Sequence, residues 1–365
     1  MSKKGRVLLA MSGGLDSSVS AILLQEQGYE VVGITLKLWN YEDSCCSIPS
    51  VCGNEDAIDD ARDLSLRLGI PHHVLDFRKE FREVVIQNFI DEYLEGRTPN
   101  PCILCNIYLK WNSLVIKANE LNCDWIATGH YAIVNQDNGR YFVSRAKDKN
   151  KDQSYVLWGL TQSHLERTIF PLGNYTKDEV RTMAQEMGFT HLANKRESYD
   201  ICFIPDNDYR VFLQKHVPDL QQRCPPGNFI DVSGKVVGKH QGYPFYTIGQ
   251  RKGLVVAFGV PKYVCRINPQ TNEITLGDKE NLLSDKLIVT HYNLSKYERF
   301  PKNFTGITKI RYRDAGQVSQ IVQRKDFLTI AFQDPVSAIT PGQSAVVYEG
   351  DDVVAGGVIM ANCEL

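Results

Sequence analysis

The sequence has almost no net charge and no apolar run long enough to cross a membrane. Its 365 residues carry 41 lysines and arginines against 43 aspartates and glutamates, a formal net charge of −2. This balance gives no overall sign of nucleic-acid binding, so any RNA partner must be held by local basic patches. The apolar run after the basic N-terminus, Val7–Met11, is too short for a signal peptide, and we expect a cytoplasmic protein.

Internal repeats, low-complexity linkers and zinc-binding patterns are also missing. Cys45, Cys46 and Cys52 lie close together, but their spacing fits no zinc site, so we interpret them as incidental thiols of a polar loop. In a reducing compartment the 10 cysteines favour reduced, catalytic or metal-bound thiols over a disulfide framework. A chain of 365 residues exceeds the roughly 250–300 at which single cores stop growing, which predicts two or three domains.

A phosphate-binding loop is predicted near the N-terminus. Val7–Met11 has the pattern of a buried strand, Ser12-Gly13-Gly14 must turn sharply, and a helix containing Val19–Leu24 follows, capped by Asp16 or Ser17. Paired glycines and a helix N-terminus together favour an anion. The loop fits neither a P-loop nor a dinucleotide fingerprint. Its S-G-G-L-D-S-S motif resembles the pyrophosphate loop of the N-type ATP pyrophosphatases, which adenylate a substrate oxygen.

The first half of the chain alternates strand and helix patterns, which predicts an α/β fold with a parallel sheet. Strands are predicted at 30–36, 71–77 and 125–128, and helices at 55–68, 81–94 and 106–121. Gly129 and His130 follow a strand directly, at the sheet edge where ligands bind in open α/β folds. A lone histidine is often structural, and both roles of His130 stay open at this point.

Cys105 and Cys202 have different interpretations. Cys105, after Cys102-Ile103-Leu104, lies at or beside a helix N-terminus, which lowers the pKa of a thiol and favours reactivity. The alternative, two buried thiols near a helix start, is equally open. Cys202 stands between Ile201 and Phe203 and is by default a core thiol.

Local signals between these motifs predict turns and caps. Asp137-Asn138-Gly139 predicts a hairpin that joins residues 131–134 to residues 140–144. The basic run 145–153 is interpreted as flexible and solvated, with phosphate contacts as the alternative. Thr176 and Glu179 form a capping-box pattern ahead of a helix at 180–187.

Short strands dominate after about residue 206. Pairs are predicted at 229–232 with 236–237 and at 263–267 with 273–276. Further strands are predicted at 287–291, 308–313, 318–324, 327–332, 343–348 and 353–360. Their even spacing and glycine-containing turns indicate a small closed barrel.

Six motifs, in this order, carry a resemblance over nearly the whole chain: S-G-G-L-D-S-S, T-P-N-P-C-I-L-C-N, A-T-G-H-Y, K-D-Q-S-Y, D-I-C-F-I and Y-T-I-G-Q-R-K-G-L. The chain resembles the tRNA-specific 2-thiouridylases of the MnmA/TrmU family. The resemblance implies ATP-dependent 2-thiolation of the wobble uridine, position 34, in tRNAs for lysine, glutamate and glutamine. It also implies three domains: an ATP pyrophosphatase domain of the adenine nucleotide alpha hydrolase type at 1–205, a central mostly-β domain at 206–280, and a tRNA-docking β-barrel at 281–365.

The resemblance further implies the residues of the site. ATP, with Mg²⁺, is assigned to Ala10, Met11, Ser12, Gly13, Gly14, Leu15, Asp16, Ser17, Leu36 and Gly129, although the family often has methionine at the position of Leu36. The uridine C2 oxygen would attack ATP and release pyrophosphate. A cysteine desulfurase or a sulfur-relay protein would load Cys202 with a persulfide, Cys105 would act as the nucleophile, and AMP and a transient Cys105–Cys202 disulfide would result.

Contacts with tRNA are implied in the same way. The target base is assigned to Asn100, Pro101 and Cys102, and the rest of the tRNA anticodon stem-loop to His130, Lys151, Asp152, Gln153, Arg311, Tyr312 and Gln343. An anticodon loop is single-stranded already, so its wobble base can be turned out cheaply.

One departure from the family leaves an alternative open. Many members carry aspartate where this chain has Cys102, and a thiol is a weak general acid or base. Cys102, Cys105 and Cys202 would suit three ligands of an iron–sulfur cluster with one open iron. The persulfide route is preferred because it needs only Cys105 and Cys202. Two other functions also compete: a small-molecule ligase of the argininosuccinate or NAD synthetase type, and an ATP-gated tRNA-binding protein with inert thiols.

Overall fold

The computed structural model describes residues 4–39, 55–193, 201–204, 208–254, 256 and 259–360. The prediction about Cys45, Cys46 and Cys52 lies outside these residues. The chain separates into two compact units, which are described one at a time. The first contains Met1–Val85, Cys102–Asn207 and Asp351–Val353, and the second contains Ile86–Pro101, Asp208–Gly350 and Val354–Leu365.

A five-stranded parallel sheet forms the frame of the first unit. Its strands are β1 (Arg6–Ala10), β2 (Glu30–Lys37), β3 (His72–Asp76), β4 (Trp125–Thr128) and β7 (Thr168–Ile169). They lie in the order β3-β2-β1-β4-β7, and each adjacent pair is parallel. The predicted parallel α/β sheet is confirmed. β7 has two residues, too few to show a periodicity in the sequence.

The side chains of β1 alternate between two apolar cores, as expected of a strand covered on both faces. Val7 and Leu9 belong to a buried cluster that includes residues of α1 (Leu15–Glu26). Leu8 points to the opposite face and packs with Leu114. Burial on both faces fixes β1, and with it the place where its carboxyl end passes into the glycine loop.

The two helices around the C-x-x-C motif each contain a π-helical segment. The predicted helix at 81–94 starts earlier and runs as Arg78–Phe81, the π-helical Arg82–Ile86 and Gln87–Leu94. The predicted helix at 106–121 likewise starts earlier, as Pro101–Leu104, the π-helical Cys105–Trp111 and Asn112–Glu120. Proline suits a first helical position because the N–H that it lacks has no intrahelical partner there.

The other helices of the first unit follow the sequence signals closely. α2 is Glu55–Leu68, as predicted. The capping box is confirmed, since Thr176 Oγ1 accepts from the Glu179 N–H and Glu179 accepts from the Thr176 N–H, and the helix is Lys177–Glu186. Short helices complete the unit at Ser154–Leu157 (a 3₁₀ turn), Gln162–Leu165 and Thr190–Ala193.

A β-hairpin of the first unit confirms the predicted turn. β5 (Ala132–Asp137) and β6 (Arg140–Arg145) are antiparallel, with Asp137 opposite Arg140. Asn138 and Gly139 have φ of 49° and 76°, the left-handed values that a two-residue type I′ turn requires.

The basic run 145–153 makes ion pairs and hydrogen bonds with other parts of the chain, and its interpretation as flexible stays a prediction. Lys147 forms an ion pair with Glu179 at 2.7 Å and Lys149 with Asp351 at 2.8 Å. The buried Asp152 carboxylate accepts from the Ala146 N–H at 3.0 Å. Opposite charges supplied from distant parts of the chain hold this segment, and the local sequence does not show them.

After Asp208, the second unit contains the helices Tyr209–His216 and Leu220–Arg223. A four-stranded sheet follows, in the order β10-β11-β8-β9. Its strands are β8 (Gly227–Asp231), β9 (Val236–His240), β10 (Tyr263–Asn268) and β11 (Glu273–Gly277), with 3₁₀ turns at Tyr243–Phe245 and Lys279–Leu282. Both predicted antiparallel pairs are confirmed. The parallel pairing of β8 with β11 joins the two antiparallel pairs into one sheet, and no local sequence pattern predicts it.

The predicted closed barrel is present in the second unit as six antiparallel strands. They are β12 (Leu283–Leu294), β13 (Phe304–Lys309), β14 (Gln317–Gln323), β15 (Phe327–Ser337), β16 (Ser344–Glu349) and β17 (Asp352–Ile359). They follow the order β12-β15-β14-β13-β16-β17, and β12 pairs with β17 to close the ring. Closure removes the sheet edges and encloses an apolar core.

The predicted strand at 308–313 was misplaced, because β13 ends at Lys309. Its pairing with β14 runs from Phe304 opposite Ile321 to Thr308 opposite Gln317. Asp314 then accepts from the Ile310 N–H at 3.0 Å and turns the chain. Arg311 and Tyr312 therefore lie in a loop.

None of the helices in the described part of the chain combines the length and the apolar character that a membrane crossing requires.

Candidate active site

The glycine loop after β1 is held by its own hydroxyl groups. The Ser12 N–H donates to Ser17 Oγ at 3.1 Å, and Ser17 Oγ donates to the Gly14 carbonyl at 3.1 Å. The helix α1 begins at Leu15, one turn earlier than predicted. Asp16 and Ser17 therefore lie inside its first turn, and the prediction that one of them caps the helix was wrong. The position before the helix is Gly14, in an extended conformation.

This loop lies where parallel α/β sheets bind ligands. The chain adds β2 and β3 on one side of β1 and β4 and β7 on the other, so the strand order reverses between β1 and β4. The crevice beyond the carboxyl ends of two such strands is the usual ligand site. Met11–Gly14 follows β1 there and Gly129 follows β4.

Two glycines of the site have no room for a side chain. A Cβ on Gly129 would lie 2.9 Å from the Ser17 nitrogen and 3.0 Å from the Asp16 carbonyl carbon. A Cβ on Gly13, which has a φ of 67°, would lie 2.1 Å from the Ala57 carbonyl oxygen. The absence of a side chain on Gly129 lets the first turn of α1 approach the end of β4, and its absence on Gly13 lets the first turn of α2 approach the glycine loop.

The carboxylate of Asp16 is paired with a lysine that is 161 residues away in sequence. Lys177 Nζ lies 2.7 Å from Asp16 Oδ1 and 2.9 Å from Asp16 Oδ2, and Tyr131 Oη donates to Oδ1 at 2.8 Å. The sequence reasoning missed Lys177 and Tyr131. The capping box predicted that Lys177 lies at the start of a helix, but no sequence pattern predicts that this helix packs beside the glycine loop.

The ten residues predicted for ATP all lie on or beside this edge of the sheet. Ala10 ends β1, and Leu36 is the penultimate residue of β2, two positions beyond the Ile34 that pairs with Ala10. The Thr35 hydroxyl donates to the Met11 carbonyl at 2.9 Å and so ties the loop to β2. Their assignment to ATP remains a prediction.

The cysteines differ in exposure. Cys102 is exposed in the first turn of its helix, whereas Cys105 is 6% exposed and begins the π-helical segment one turn later. Cys105 is therefore further from the helix N-terminus than expected. Asn106 Nδ2 donates to the Val156 carbonyl at 3.0 Å and anchors this turn of the helix.

Cys202 is partly exposed, so its default interpretation as a core thiol was wrong. The buried side chain beside it is Phe203, whose ring centroid lies 5.6 Å from that of Phe81 and 6.2 Å from that of Trp39. Phe203 therefore anchors residues 201–204 in the core, and the neighbouring Cys202 stays partly exposed at the edge of that core.

The three cysteines do not assemble into a metal site. Among the residues that the structure describes, which include Cys102, Cys105 and Cys202, no group of three or more histidine, cysteine, aspartate or glutamate side chains could hold a metal ion. The donor set proposed for an iron–sulfur cluster is thus not brought together, and we derive no step through a cluster.

His130 occupies an apolar setting at the end of β4. Its ring centroid lies 5.7 Å from that of Trp111 and 6.1 Å from that of Phe170, and Nδ1 is 2.7 Å from Thr128 Oγ1. Desolvation lowers the pKa of His130 to about 3, with a smaller contribution from the positive charge of Lys110. The imidazole is therefore neutral at pH 7 and offers hydrogen bonds, not charge, to a ligand.

The predicted tRNA residues at 151–153 have different surroundings. The Asp152 carboxylate also accepts from the Ser154 N–H at 3.2 Å and the Ser154 hydroxyl at 2.8 Å, so it organises its own loop. Gln153 exchanges two hydrogen bonds with the backbone of Tyr131, at 3.0 and 2.8 Å. Lys151 is partly exposed. The prediction that they contact tRNA is untested.

In the second unit, Gln343 holds the segment that precedes Asn100 and Pro101. Gln343 Nε2 donates to the Thr98 carbonyl at 3.1 Å and to the Pro99 carbonyl at 2.9 Å. The Thr98 N–H donates to the Pro341 carbonyl at 2.8 Å. The predicted base-contacting residue Asn100 therefore follows a segment fixed at both backbone groups of Thr98.

Arg311 and Tyr312 are exposed in the loop after β13, and an Arg311 guanidinium nitrogen donates to the Ser337 carbonyl at 2.6 Å. One end of the Arg311 side chain is thus tethered to the last residue of β15. Their assignment to tRNA also remains a prediction.

Three consecutive family models match the chain. A tRNA methyl transferase HUP domain matches residues 5–206, a tRNA methyl transferase PRC-barrel domain matches 210–278, and an aminomethyltransferase beta-barrel domain matches 284–359. The domain boundaries predicted at residues 205 and 280 stay predictions.

Curated relatives match the whole chain. A protein of Amoebophilus asiaticus is 51% identical over 99% of this chain and 96% of its own length, and one of Cytophaga hutchinsonii is 51% identical over 99% of both chains. One of Salinibacter ruber is 52% identical over 98% of this chain and 95% of its own. All three are named tRNA-specific 2-thiouridylase MnmA. With half of its residues identical along nearly its whole length, the chain belongs to the family of MnmA-type tRNA-specific 2-thiouridylases.

Proposed function

We propose that this protein activates the C2 oxygen of a tRNA uridine with ATP and replaces it with sulfur. The observation that carries the proposal is the loop Met11–Gly14 at the carboxyl edge of the parallel sheet, which leads into the first turn of α1, where Gly129 lies close to Asp16 and Ser17. Membership of the family supports the substrate, since the relatives are named for 2-thiolation of tRNA uridine. The wobble uridine, position 34, of tRNAs for lysine, glutamate and glutamine is the proposed target.

In the first proposed step, the uridine C2 oxygen attacks the α-phosphorus of ATP. A P–O bond forms, the bond to the oxygen of the β-phosphate breaks, and pyrophosphate leaves. A poor leaving group becomes a good one, because the C2 oxygen now departs as part of AMP. The N-terminus of α1 and the N–H groups of the glycine loop stabilise the negative charge that develops on the phosphates.

Mg²⁺ is proposed to arrive with ATP. This ion is usually held by one or two carboxylates together with phosphate oxygens. The Asp16 carboxylate has about four acceptor sites, of which Lys177 and Tyr131 use three, so it has capacity for one more ligand. The ion would neutralise phosphate charge during adenylation.

In the second proposed step, the terminal sulfur of a Cys202 persulfide attacks C2 and AMP leaves with the former C2 oxygen. The Cys105 thiolate then attacks the Cys202 sulfur, which breaks the S–S bond to the transferred sulfur and leaves 2-thiouridine and a Cys105–Cys202 disulfide. An external dithiol reductant supplies two electrons and restores both thiols. The partial exposure of Cys202 suits loading by a cysteine desulfurase or relay protein, and the burial of Cys105 shields the reaction from water.

Different parts of the chain would carry out the chemistry and the binding of tRNA. We infer that the first, to residue 205, adenylates and thiolates, and that the barrel from residue 281 docks the tRNA anticodon stem-loop with Arg311 and Tyr312. A cytoplasmic location follows from this activity on tRNA.

The test is to substitute each proposed sulfur-handling cysteine. Cys202→Ser and Cys105→Ser should each lower 2-thiouridine formation on a tRNA transcript by at least about 100-fold, because each removes a bond-forming atom. Both should still release pyrophosphate from ATP when tRNA is present. Product is measured by mass spectrometry of the digested tRNA and pyrophosphate by a coupled assay. Cys265→Ser, at a partly exposed cysteine of the second unit, is the matched control and should keep full activity.

Other results would favour other functions. Pyrophosphate release without tRNA would favour a small-molecule ligase. Normal 2-thiouridine formation by both serine variants would mean that the thiols are inert and would remove the persulfide step.

A further inference from the structure

A lysine is buried at the edge of the phosphate loop. Lys177 is 5% exposed, and its ammonium group bonds to both oxygens of Asp16, within the S-G-G-L-D-S-S motif. Taking an ammonium group out of water is unfavourable unless a fixed opposite charge replaces the solvent. Asp16 provides that charge, so the pair holds together the start of α1 and the start of the helix Lys177–Glu186.

The lysine is held in place from its own side as well. Its backbone N–H donates to Asp148 Oδ2 at 3.0 Å. The residue before it, Thr176, closes the capping box with Glu179. Its ammonium nitrogen also lies 5.7 Å from the centroid of the Tyr131 ring, whose hydroxyl binds Asp16. The ammonium position is therefore set by the helix start, and it in turn sets the position of the carboxylate.

The charge of Asp16 poses a problem for an anion-binding loop. A carboxylate beside a triphosphate repels it, and at the effective dielectric constant of a protein surface this repulsion between neighbouring charges is much stronger than in water. A bonded ammonium group cancels most of that repulsion. The carboxylate can then remain at the loop as a ligand for the cation that accompanies the nucleotide.

We propose that Lys177 is a positioning residue of the nucleotide site: it neutralises and orients the Asp16 carboxylate so that Mg²⁺-bound ATP can bind at the glycine loop. This inference rests on the proposed ATP-dependent function. It assigns a role in nucleotide binding to a residue outside the glycine-loop motif. That residue lies at the start of a helix more than 150 residues later in the chain.

The experiment measures binding of Mg²⁺-ATP and of tRNA to the full chain. Lys177→Met keeps much of the side-chain length and removes the charge, and should weaken ATP binding about 10- to 100-fold by calorimetric titration. Lys177→Arg should recover part of that loss, and tRNA affinity should change less than about twofold in both. Lys117→Met is the control, since Lys117 is a partly buried lysine that is likewise paired with a carboxylate, that of Glu120 at 2.8 Å, and it should leave ATP binding unchanged.

A double variant separates positioning from direct contact with the nucleotide. If Lys177 acts through Asp16, adding Lys177→Met to Asp16→Asn should weaken ATP binding much less than it does in the wild-type background. Equal loss in both backgrounds would overturn the proposal and indicate direct contact. Tyr131→Phe removes only the hydroxyl that bonds to Asp16, and should weaken ATP binding by about two- to fivefold.

The outcomes distinguish this inference from the function on which it rests. A wild-type protein that binds no ATP would refute the proposed function. A wild type that binds ATP, with a Lys177→Met variant that binds it equally well, would overturn the inference alone. If Lys177→Met does not fold, unchanged ATP binding by both Tyr131→Phe and Lys177→Arg would count against it.

Discussion

His130 shows how one residue can be decided by its surroundings. From the sequence it was equally a structural and a functional histidine. In the fold its ring is flanked by Trp111 and Phe170, and desolvation lowers its pKa to about 3. Both roles are compatible with that setting, since a neutral imidazole can pack against aromatic rings and donate or accept a hydrogen bond.

The low pKa of His130 predicts a loss of stability in mild acid. The unfolded chain binds a proton at His130 below about pH 6.5, whereas the folded chain does so only near pH 3, so stability falls as the pH drops through this window. Between pH 6.5 and 5 the loss from this residue is on the order of 2 kcal/mol. His72, whose pKa is lowered to about 4 mainly by burial, adds in the same direction.

Urea unfolding at pH 7 and pH 5 measures this effect. His130→Asn should reduce the difference in unfolding free energy between the two pH values, and His191→Asn, at an exposed histidine, should not. An equal difference in the wild type and in His130→Asn would show that His130 does not stay neutral in the folded state.

At the scale of elements, a barrel loop holds the segment that begins the cysteine-containing helix. Gln343 donates to two consecutive carbonyls, those of Thr98 and Pro99, and Gly342 leaves space for the Thr98 carbonyl. A Cβ on Gly342 would lie 2.8 Å from the Thr98 carbonyl oxygen. Gln343, which is predicted to contact tRNA, therefore also makes a contact within the chain. That contact orders the residues before Asn100.

Removing this clamp should loosen the segment. Gln343→Leu leaves two carbonyls without their donor and should cost about 1–3 kcal/mol in local stability. Hydrogen exchange at the amide of Asn100 should accelerate, and 2-thiouridine formation should fall. Gln320→Leu, at an exposed glutamine of β14, is the control. A drop in activity with unchanged exchange would instead mean that Gln343 acts by contacting tRNA directly.

At the scale of the whole molecule, a net charge of −2 requires that a polyanion be held by local positive groups. The structure has such groups in both units, with Lys151 partly exposed in one and Arg311 exposed in the other. Each contact between a basic side chain and a phosphate releases counterions, which makes binding weaken with salt.

This predicts that Lys151→Ala and Arg311→Ala weaken tRNA binding and make it less sensitive to salt. Each lost phosphate contact should reduce the slope of log affinity against log salt concentration by roughly 0.7–0.9. The slope is measured by filter binding at several potassium chloride concentrations. Lys79→Ala, at a lysine side chain that is 82% exposed, serves as the control. An unchanged slope in both variants would remove these residues from the tRNA interface.

The sequence by itself determined the features that depend on neighbouring residues. The alternating strands and helices, the hairpin turn at Asp137-Asn138-Gly139, the capping box at Thr176 and the closed barrel were all predicted, because each follows from local periodicity or turn chemistry. The ordered motifs also identified the family.

Only the tertiary structure decided the features that join distant parts of the chain. Asp16 meets Lys177 through an ion pair across 161 residues, and Gln343 bonds to Thr98 across 245. Cys105 proved buried and Cys202 partly exposed, although each directly follows an apolar residue in the sequence. Burial and charge pairing depend on which elements pack together, and that packing is fixed by the apolar cores on the two faces of the sheet and inside the barrel.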